Sequence, residues 1–150
     1  MTRLALAWLH LIALGIGMGA VWVRARALSG PLDAAAVRRA FAADSLWGLA
    51  AGLWITTGLW RLFAGTEKAT GYYFANHAFW FKMALLGAIL ALEVWPMVTL
   101  IRWRAAAKRG AAGDERTARR IATISYVQGA LVALMVGAAA AMARGYGQRG

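Results

Sequence analysis

The sequence has no cysteine, few acidic residues and little charge of any kind. Of its 150 residues none is Cys, six are Asp or Glu, and 15% are charged. The missing cysteines exclude disulfides, iron–sulfur clusters and thiolate metal sites. No phosphate-binding glycine loop and no Ser–His–carboxylate set at one depth is present, so nothing indicates hydrolysis. What remains is apolar, because 61% of the residues are hydrophobic, more than a soluble domain of this size could bury.

Four long runs with little charge predict four transmembrane helices. A helix needs about 20 apolar residues to cross the hydrocarbon, and the runs are Leu4–Val23, Ser45–Trp60, Ala78–Ile101 and Ile121–Ala143. The second is short and spans if the charged residues at its ends reach the interface. We therefore predict a single all-α domain over residues 1–150, an antiparallel up-down-up-down four-helix bundle with spans at about 4–24, 44–63, 77–101 and 121–143.

The basic residues are divided unequally between the two ends of this bundle. Seventeen Lys and Arg against six Asp and Glu give a net charge of +11. Most of the basic residues fall in the loops after the first and third spans. The positive-inside rule places those loops in the cytoplasm, so both termini are predicted to be periplasmic in a bacterial inner membrane, and no nucleic-acid partner is needed to explain the charge. Asp33, in the first loop, is positioned to cap a short helix that leads into the second span.

Small residues recur at helical spacing along three of the spans. Gly15 and Gly19 lie four apart, as do Gly48 and Gly52, and Gly129 begins a similar strip in the fourth span. Such strips are typical of close packing between helices in lipid. They would also leave room for a flat cofactor, and both interpretations stay open.

Several polar side chains are predicted to share one level near the periplasmic face. His10 lies about two turns into the first span, where a lone His is typical of a ligand, a proton carrier or an interhelical hydrogen-bond donor. The stretch GYYFANHAFWFKM contributes His77 and Lys82 at the start of the third span. The other candidates at this level are Arg61, Tyr73, Trp80 and Arg144. Interface anchoring and snorkelling is the simpler interpretation of Arg61, Trp80 and Arg144.

A second polar group lies nearer the cytoplasm and consists of Arg24, Asp44, Glu93 and Arg102. Glu93 comes eleven residues after Lys82 and shares its helix face, but about 16 Å separates them, too far for a salt bridge. An unpaired buried carboxylate would tend to take up a proton. We therefore predict a structural ion-pair network among these four residues.

Five short motifs resemble those of an uncharacterised bacterial family of four-span membrane proteins. They are Leu9-His10, D-x-x-W-G from Asp44, T-G-L-x-R from Thr57, Y-Y-x-x-N-x-x-F-W-x-K-M from Tyr72 and A-R-G-Y-G from Ala143. More distantly, His10 with the glycines that follow it, and Lys82 after Trp80, resemble the haem-binding protoporphyrinogen oxidases of the HemJ type and the CopD-like membrane domains. That resemblance implies that His10 is a haem ligand and that Lys82 is needed for activity.

Three functions are compatible with these residues. The first is a b-type haem or porphyrin-binding redox protein, in which His10 and His77 ligate iron and Arg61, Lys82 or Arg144 pair with propionates. As an enzyme it would be a membrane oxidoreductase acting on a porphyrinogen or a quinone, with Lys82 as a catalytic residue. The second is a non-catalytic subunit or assembly factor of a larger membrane complex. The third is a CopD-like metal transporter, although the six methionines form no M-x-x-M cluster. The sequence leaves a homo-oligomer open.

Overall fold

Every regular element of the computed structural model is a helix within residues 2–64, 70–109 and 113–147, which are the residues that the structure describes. The helices are α1 (Thr2–Ser29), α2 (Ala34–Phe63), α3 (Thr70–Phe74), α4 (His77–Ala107) and α5 (Glu115–Ala143). The predicted all-α class is therefore confirmed, and α3 is a single short turn that the apolar pattern did not predict.

Three of the helices begin at a side chain that caps them. Asp33 accepts a hydrogen bond from the Ala36 amide at 2.6 Å, Asn76 accepts one from Ala78, and Asp114 accepts one from Thr117. Such caps satisfy amide groups that have no partner within the helix. The Thr117 hydrogen bond holds the pKa of the Asp114 carboxyl below its usual range. The cap at Asp33 was predicted, but the helix it starts is continuous with the second predicted span.

The helices extend beyond the predicted spans at the ends rich in basic residues. α1 ends at Ser29 instead of residue 24, and α2 begins at Ala34 instead of residue 44. An apolar run marks only the part of a helix that lies in hydrocarbon. Ala and Arg are good helix formers, so the helices continue into the interface until Gly30 and Pro31 interrupt the chain.

Three helices in the described part of the chain are long and apolar enough to cross a membrane. They are Arg3–Ser29, His77–Ala107 and Glu115–Ala143. α2 has 30 residues but does not meet the same standard. Charged residues near both ends of α2 and the small or weakly polar residues between them lower its hydropathy. The structure thus shows three candidate spans where the sequence predicts four.

α1 lies between α2 and α5, and α4 packs against α5. His10 bonds Thr57 and Arg24 bonds Asp44, so α1 and α2 run in opposite directions. Two apolar clusters fill the interior. The outer cluster contains Ala13, Ala20, Val21, Trp47, Trp54, Leu85, Ile89, Val132 and Met135. The inner cluster, near the basic ends, contains Ala27, Leu28, Ala40, Leu100, Ala118, Ile121 and Ala122.

The glycines that make close helix contacts differ from the predicted ones. A Cβ at Gly17 would lie 3.1 Å from the Trp47 ring, and one at Gly58 would lie 3.1 Å from the His10 ring. The predicted strips differ among themselves. A Cβ at Gly129 in the fourth-span strip would lie 3.9 Å from Met18 and Val21 of α1, in ordinary contact. At Gly15, Gly19, Gly48 and Gly52 a Cβ would meet nothing within 4 Å among the described residues, so those four glycines do not lie at packing seams.

Candidate functional site

A cavity of about 400 Å³ lies at the His10 end of the molecule. Pockets for small molecules commonly have volumes of about 300–1,000 Å³. Residues from all five helices line it, and four of the predicted site residues are among them: His10, Arg61, Tyr73 and Lys82. The structure therefore brings an imidazole, two cationic groups and a phenol to one enclosure whose other walls are largely apolar.

Thr57 fixes the orientation of the His10 ring. The two side chains are joined at 2.9 Å between Nδ1 and Oγ1. The Thr57 hydroxyl donates its own hydrogen to backbone carbonyls one turn back, at 2.8 Å to Leu53 and 3.1 Å to Trp54. Thr57 Oγ1 therefore accepts from the His10 Nδ1–H, which assigns the tautomer from the hydrogen-bond network. In the neutral imidazole the lone pair then lies on Nε2.

The residues that hold His10 follow helical spacing on α2. Trp54 packs its ring 5.7 Å from the imidazole, Thr57 bonds it, and Gly58 leaves room for it. Arg61 lines the cavity one turn later. These four positions fall on one helix face. No role was predicted for Thr57 and Gly58, although both belong to the T-G-L-x-R motif. Their helical spacing from Trp54 and Arg61 is the signal that identifies them.

α3 and the start of α4 close the same end of the cavity. Tyr72 and Tyr73 line it from α3, and Tyr72 donates from its hydroxyl to the Met142 carbonyl at 3.4 Å. Phe79 is buried and packs against the Tyr73 ring at 5.9 Å between centroids. Lys82, one turn further along α4, is half-buried in the lining.

Three predicted site residues do not reach the cavity. His77 is exposed, and its backbone amide donates to the Gly147 carbonyl at 2.8 Å. Trp80 is also exposed and donates from its indole to the Phe74 carbonyl, while Arg144 caps the end of α5. The α4 face that meets the cavity carries Phe79, Lys82, Met83 and Leu86. Helical geometry points His77 and Trp80 away from that face.

Asn76 joins two of the sequence motifs just outside the cavity. Its side chain is fully buried, accepts from the Ala78 amide and donates to the Tyr146 carbonyl at 3.1 Å. The chain can return to Asn76 because Gly145 and Gly147 adopt φ values of +86° and +83°, a conformation that side chains disfavour. The Y-Y-x-x-N and A-R-G-Y-G motifs are thus two halves of one contact.

Arg24 forms the centre of the second polar group. It is fully buried at 0% exposure, and its five N–H donors make five hydrogen bonds. The acceptors are Asp44 at 2.9 Å, both Glu93 oxygens at 2.6 and 2.7 Å, Gln128 at 2.8 Å and Ser125 at 3.0 Å. This network ties α1 to α2, α4 and α5, and it lies between the two apolar clusters.

Arg104, instead of the predicted Arg102, completes this network. Arg104 donates to Asp44 Oδ2 at 2.8 Å and to the Phe41 carbonyl at 2.7 Å, whereas Arg102 is exposed. Arg104 comes eleven residues after Glu93 and so shares its helix face, while Arg102 comes nine residues after it and falls on the opposite face. The same spacing relates Lys82 to Glu93.

One known protein family matches nearly the whole chain. The model of a family described as predicted membrane protein (DUF2214) matches residues 2–147. No curated protein and no solved structure matches the chain. The resemblance to HemJ-type oxidases and CopD-like domains gains no support from them and stays a prediction. The chain belongs to this family of predicted membrane proteins, whose function is unknown.

Proposed function

We propose that this protein binds haem b, or a related porphyrin, in the cavity at the His10 end, with His10 Nε2 as the iron ligand. The observation that supports this most is the His10–Thr57 hydrogen bond at 2.9 Å inside the cavity lining. A metal-ligating histidine typically donates its other ring N–H to a neighbouring acceptor, which fixes the tautomer and the ring orientation. Thr57 has that role here.

The cationic groups of the lining fit the acidic groups of a porphyrin. Arg61 and Lys82 lie in the same lining as His10, and Arg pairs with carboxylates through two parallel hydrogen bonds. Tyr73 adds a further hydroxyl. The remaining wall, made by side chains such as Met135 and Ala139, suits an apolar macrocycle.

His10 is the one histidine proposed as an iron ligand, because His77 lies outside the cavity. The lining also contains the thioethers of Met83, Met135 and Met142, and Met together with His is a known haem ligand pair in electron-transfer proteins. Bound haem would supply one-electron chemistry. The chain's own residues would hold the ring, orient the ligand and keep water from its apolar face. Lys82 is the proposed catalytic residue if a porphyrinogen is oxidised or a quinone is reduced there.

We also propose that all four long helices cross a bacterial inner membrane as an antiparallel bundle with periplasmic termini. α2 accompanies α1 from the His10–Thr57 contact to the Arg24–Asp44 contact, a distance of about 21 Å along the axis. A helix packed over that length beside a membrane span lies mostly within a hydrocarbon layer about 30 Å thick.

An absorption spectrum of the detergent-purified protein, titrated with hemin and then reduced with dithionite, tests haem binding. The wild type is expected to give a Soret band that sharpens and shifts on reduction. His10→Ala should abolish the ligated spectrum, and His77→Ala is the matched control that should retain it. Thr57→Val should weaken binding, because the imidazole loses the acceptor that orients it.

Two results would contradict haem binding through His10. One is a wild type that gives no Soret band after hemin is added. The other is a His10→Ala variant whose band and dithionite response match those of the wild type. Circular dichroism of each variant would show that the helices are intact.

A further inference from the structure

Starting from the proposed ligand site, we infer that its ligand enters sideways from the bilayer, through a gap between α2 and α4. The ligand class is then a membrane-dissolved amphiphile, with an apolar body and an acidic end that meets Arg61 and Lys82. This adds a route and a chemical class to the cavity described above.

Among the pairs of long helices that contact each other in the described part of the chain, α2 and α4 do so least, and both line the cavity. α1 packs closely with α2 and α5, and α4 with α5, whereas α2 and α4 have few close approaches. The hydrogen bonds between α2 and α4 that involve Arg104 reach Phe41, Asp44 and Ser45, at the end away from the cavity. The two helices are therefore joined at the inner end and separated by the cavity at the outer end.

The sides of this gap are apolar. Ile55, Leu59 and Leu62 line the cavity from α2, and Met83 and Leu86 line it from α4. Leu59 lines the cavity and is also 50% exposed, so the inferred gap reaches the outer surface of the bundle at that residue. Water interacts weakly with an opening that has apolar sides. Such an opening therefore favours the passage of acyl or isoprenoid chains over that of charged solutes.

The gap lies at the depth of the acyl chains. α4 has 31 residues and is therefore about 46 Å long, so that about 8 Å projects at each end of a hydrocarbon layer about 30 Å thick. Met83 and Leu86 lie six and nine residues after His77, about 9 and 14 Å along the axis. Both are thus just inside the hydrocarbon, while Lys82 lies at its boundary.

The polar groups of the lining are gathered at that boundary. Arg61, Tyr72, Tyr73 and Lys82 lie toward the end closed by α3, and Ile55, Leu86 and Met135 lie deeper along their helices. Lys and Arg near helix ends extend their charged groups to the interface. An amphiphile dissolved in the bilayer has its acidic group at the interface and its apolar body among the acyl chains. Its polar and apolar parts therefore already lie at the depths of the matching parts of the cavity, and it can enter without reorienting.

A cysteine reporter tests the route because the chain has no cysteine of its own. Met83→Cys places one thiol in the cavity lining. Two reagents are compared on the reconstituted protein: a maleimide with a long alkyl chain delivered in vesicles, and a sulfonated maleimide in the water phase. We expect the lipid-borne reagent to label the thiol severalfold faster.

Changes at Leu59 then test the gap itself. Leu59→Trp should slow lipid-borne labelling severalfold and Leu59→Ala should accelerate it. Leu49→Trp, on the same helix at a residue 73% exposed and outside the lining, is the matched control and should leave the rate unchanged. The Ala variant decides the question if the Trp variant does not fold.

The route is overturned if the sulfonated reagent labels faster, if neither reagent labels the thiol, or if the Leu59 variants leave the lipid-borne rate unchanged. Haem binding and the lateral route can fail independently. A wild type without a Soret band would contradict haem binding and would leave the labelling rates unchanged. A positive Soret result combined with unchanged labelling in the Leu59 variants would keep the haem site and reject the lateral route.

Discussion

At the residue scale, Arg24 carries the largest structural consequence of any single side chain described. Taking a charge out of water is costly, and attraction to a partner offsets this only when the geometry is good and the remaining donors are satisfied. Arg24 meets both conditions, because all five of its donors are bonded and two carboxylates face it. Loss of Arg24 would leave the half-buried Glu93 without its cationic partner and close to Asp44, a carboxylate of like charge.

Arg24→Gln is expected to destabilise the protein by about 3–5 kcal/mol, the usual effect of removing one partner of a buried ion pair. Arg119→Gln is the matched control, because the Arg119–Glu115 pair is 64% and 61% exposed and such pairs contribute at most about 0.5 kcal/mol. Unfolding in mixed micelles with increasing denaturing detergent, followed by circular dichroism, measures both. Equal midpoints for the two variants would contradict a stabilising role for Arg24.

The sequence predicts part of this network and not the rest. Arg24, Asp44 and Glu93 stand out because charges are rare inside apolar runs. Ser125 and Gln128 do not, since uncharged polar side chains are less conspicuous there, and yet Gln128 also bonds the Ile89 carbonyl and Glu93. The eleven-residue spacing between Lys82 and Glu93 identifies Arg104 instead of Arg102 when it is applied once more along α4.

At the scale of elements, the segment after α5 holds the start of α4. The His77 amide bonds the Gly147 carbonyl and the Asn76 side chain bonds the Tyr146 carbonyl. Because Tyr72 also bonds Met142, α3, α4 and the segment after α5 form one cap over the cavity. The exposed His77 belongs to this cap through its backbone.

Gly147→Ala is expected to open this cap. A Cβ there would lie 2.9 Å from Asn76 Oδ1 and 3.0 Å from the Ala78 amide nitrogen, in addition to the strain of a positive φ, which costs about 1–2 kcal/mol. Gly145→Ala is the matched control, with the same sign of φ but nothing within 4 Å of its Cβ among the described residues. Hydrogen exchange should accelerate at the His77 amide more in Gly147→Ala than in Gly145→Ala.

The same exchange rate in both variants would mean that backbone strain alone matters and that the Asn76 contact does not hold the cap. An unchanged rate in both would reject the cap altogether. The thermal midpoint of each variant, compared with the wild type, separates local opening from loss of the whole fold.

The existence of the four long helices could be predicted from the sequence, and most of their contacts could not. Long apolar runs specify a helix in lipid because backbone groups must bond within the segment. Which face each helix presents to its neighbours depends on its rotation and on its partners, and composition does not specify these. This is why Gly17 and Gly58 make the close contacts while the regular Gly48–Gly52 pair does not. It is also why Thr57 is an unpredicted partner of His10.

At the scale of the whole molecule, the number of crossings decides on which side each end lies. Four crossings place both termini on one side, whereas the three helices that meet the length and hydropathy standard alone would place them on opposite sides. The basic loops favour four, because both would then be cytoplasmic. The second predicted span has the shortest apolar run of the four, at 16 residues.

Fusions in a bacterial host test this arrangement. Alkaline phosphatase fused after Gly147 is expected to be active. The same enzyme fused to the N-terminus and exported is also expected to be active, because both termini are predicted to be periplasmic. A fusion made after Arg109, in the loop before α5, is the internal control and should be inactive. Activity at one terminus only would show that α2 does not cross.

The order of layers along the molecule limits what the cavity can be used for. Below it come the outer cluster around Trp47 and Ile89, then the fully bonded Arg24, then the inner cluster around Leu100. A solute that enters beside His10 therefore meets a blind end. In the proposed membrane arrangement the cavity therefore opens toward a single leaflet, and the packed layers below it leave no passage through the described residues to the opposite side.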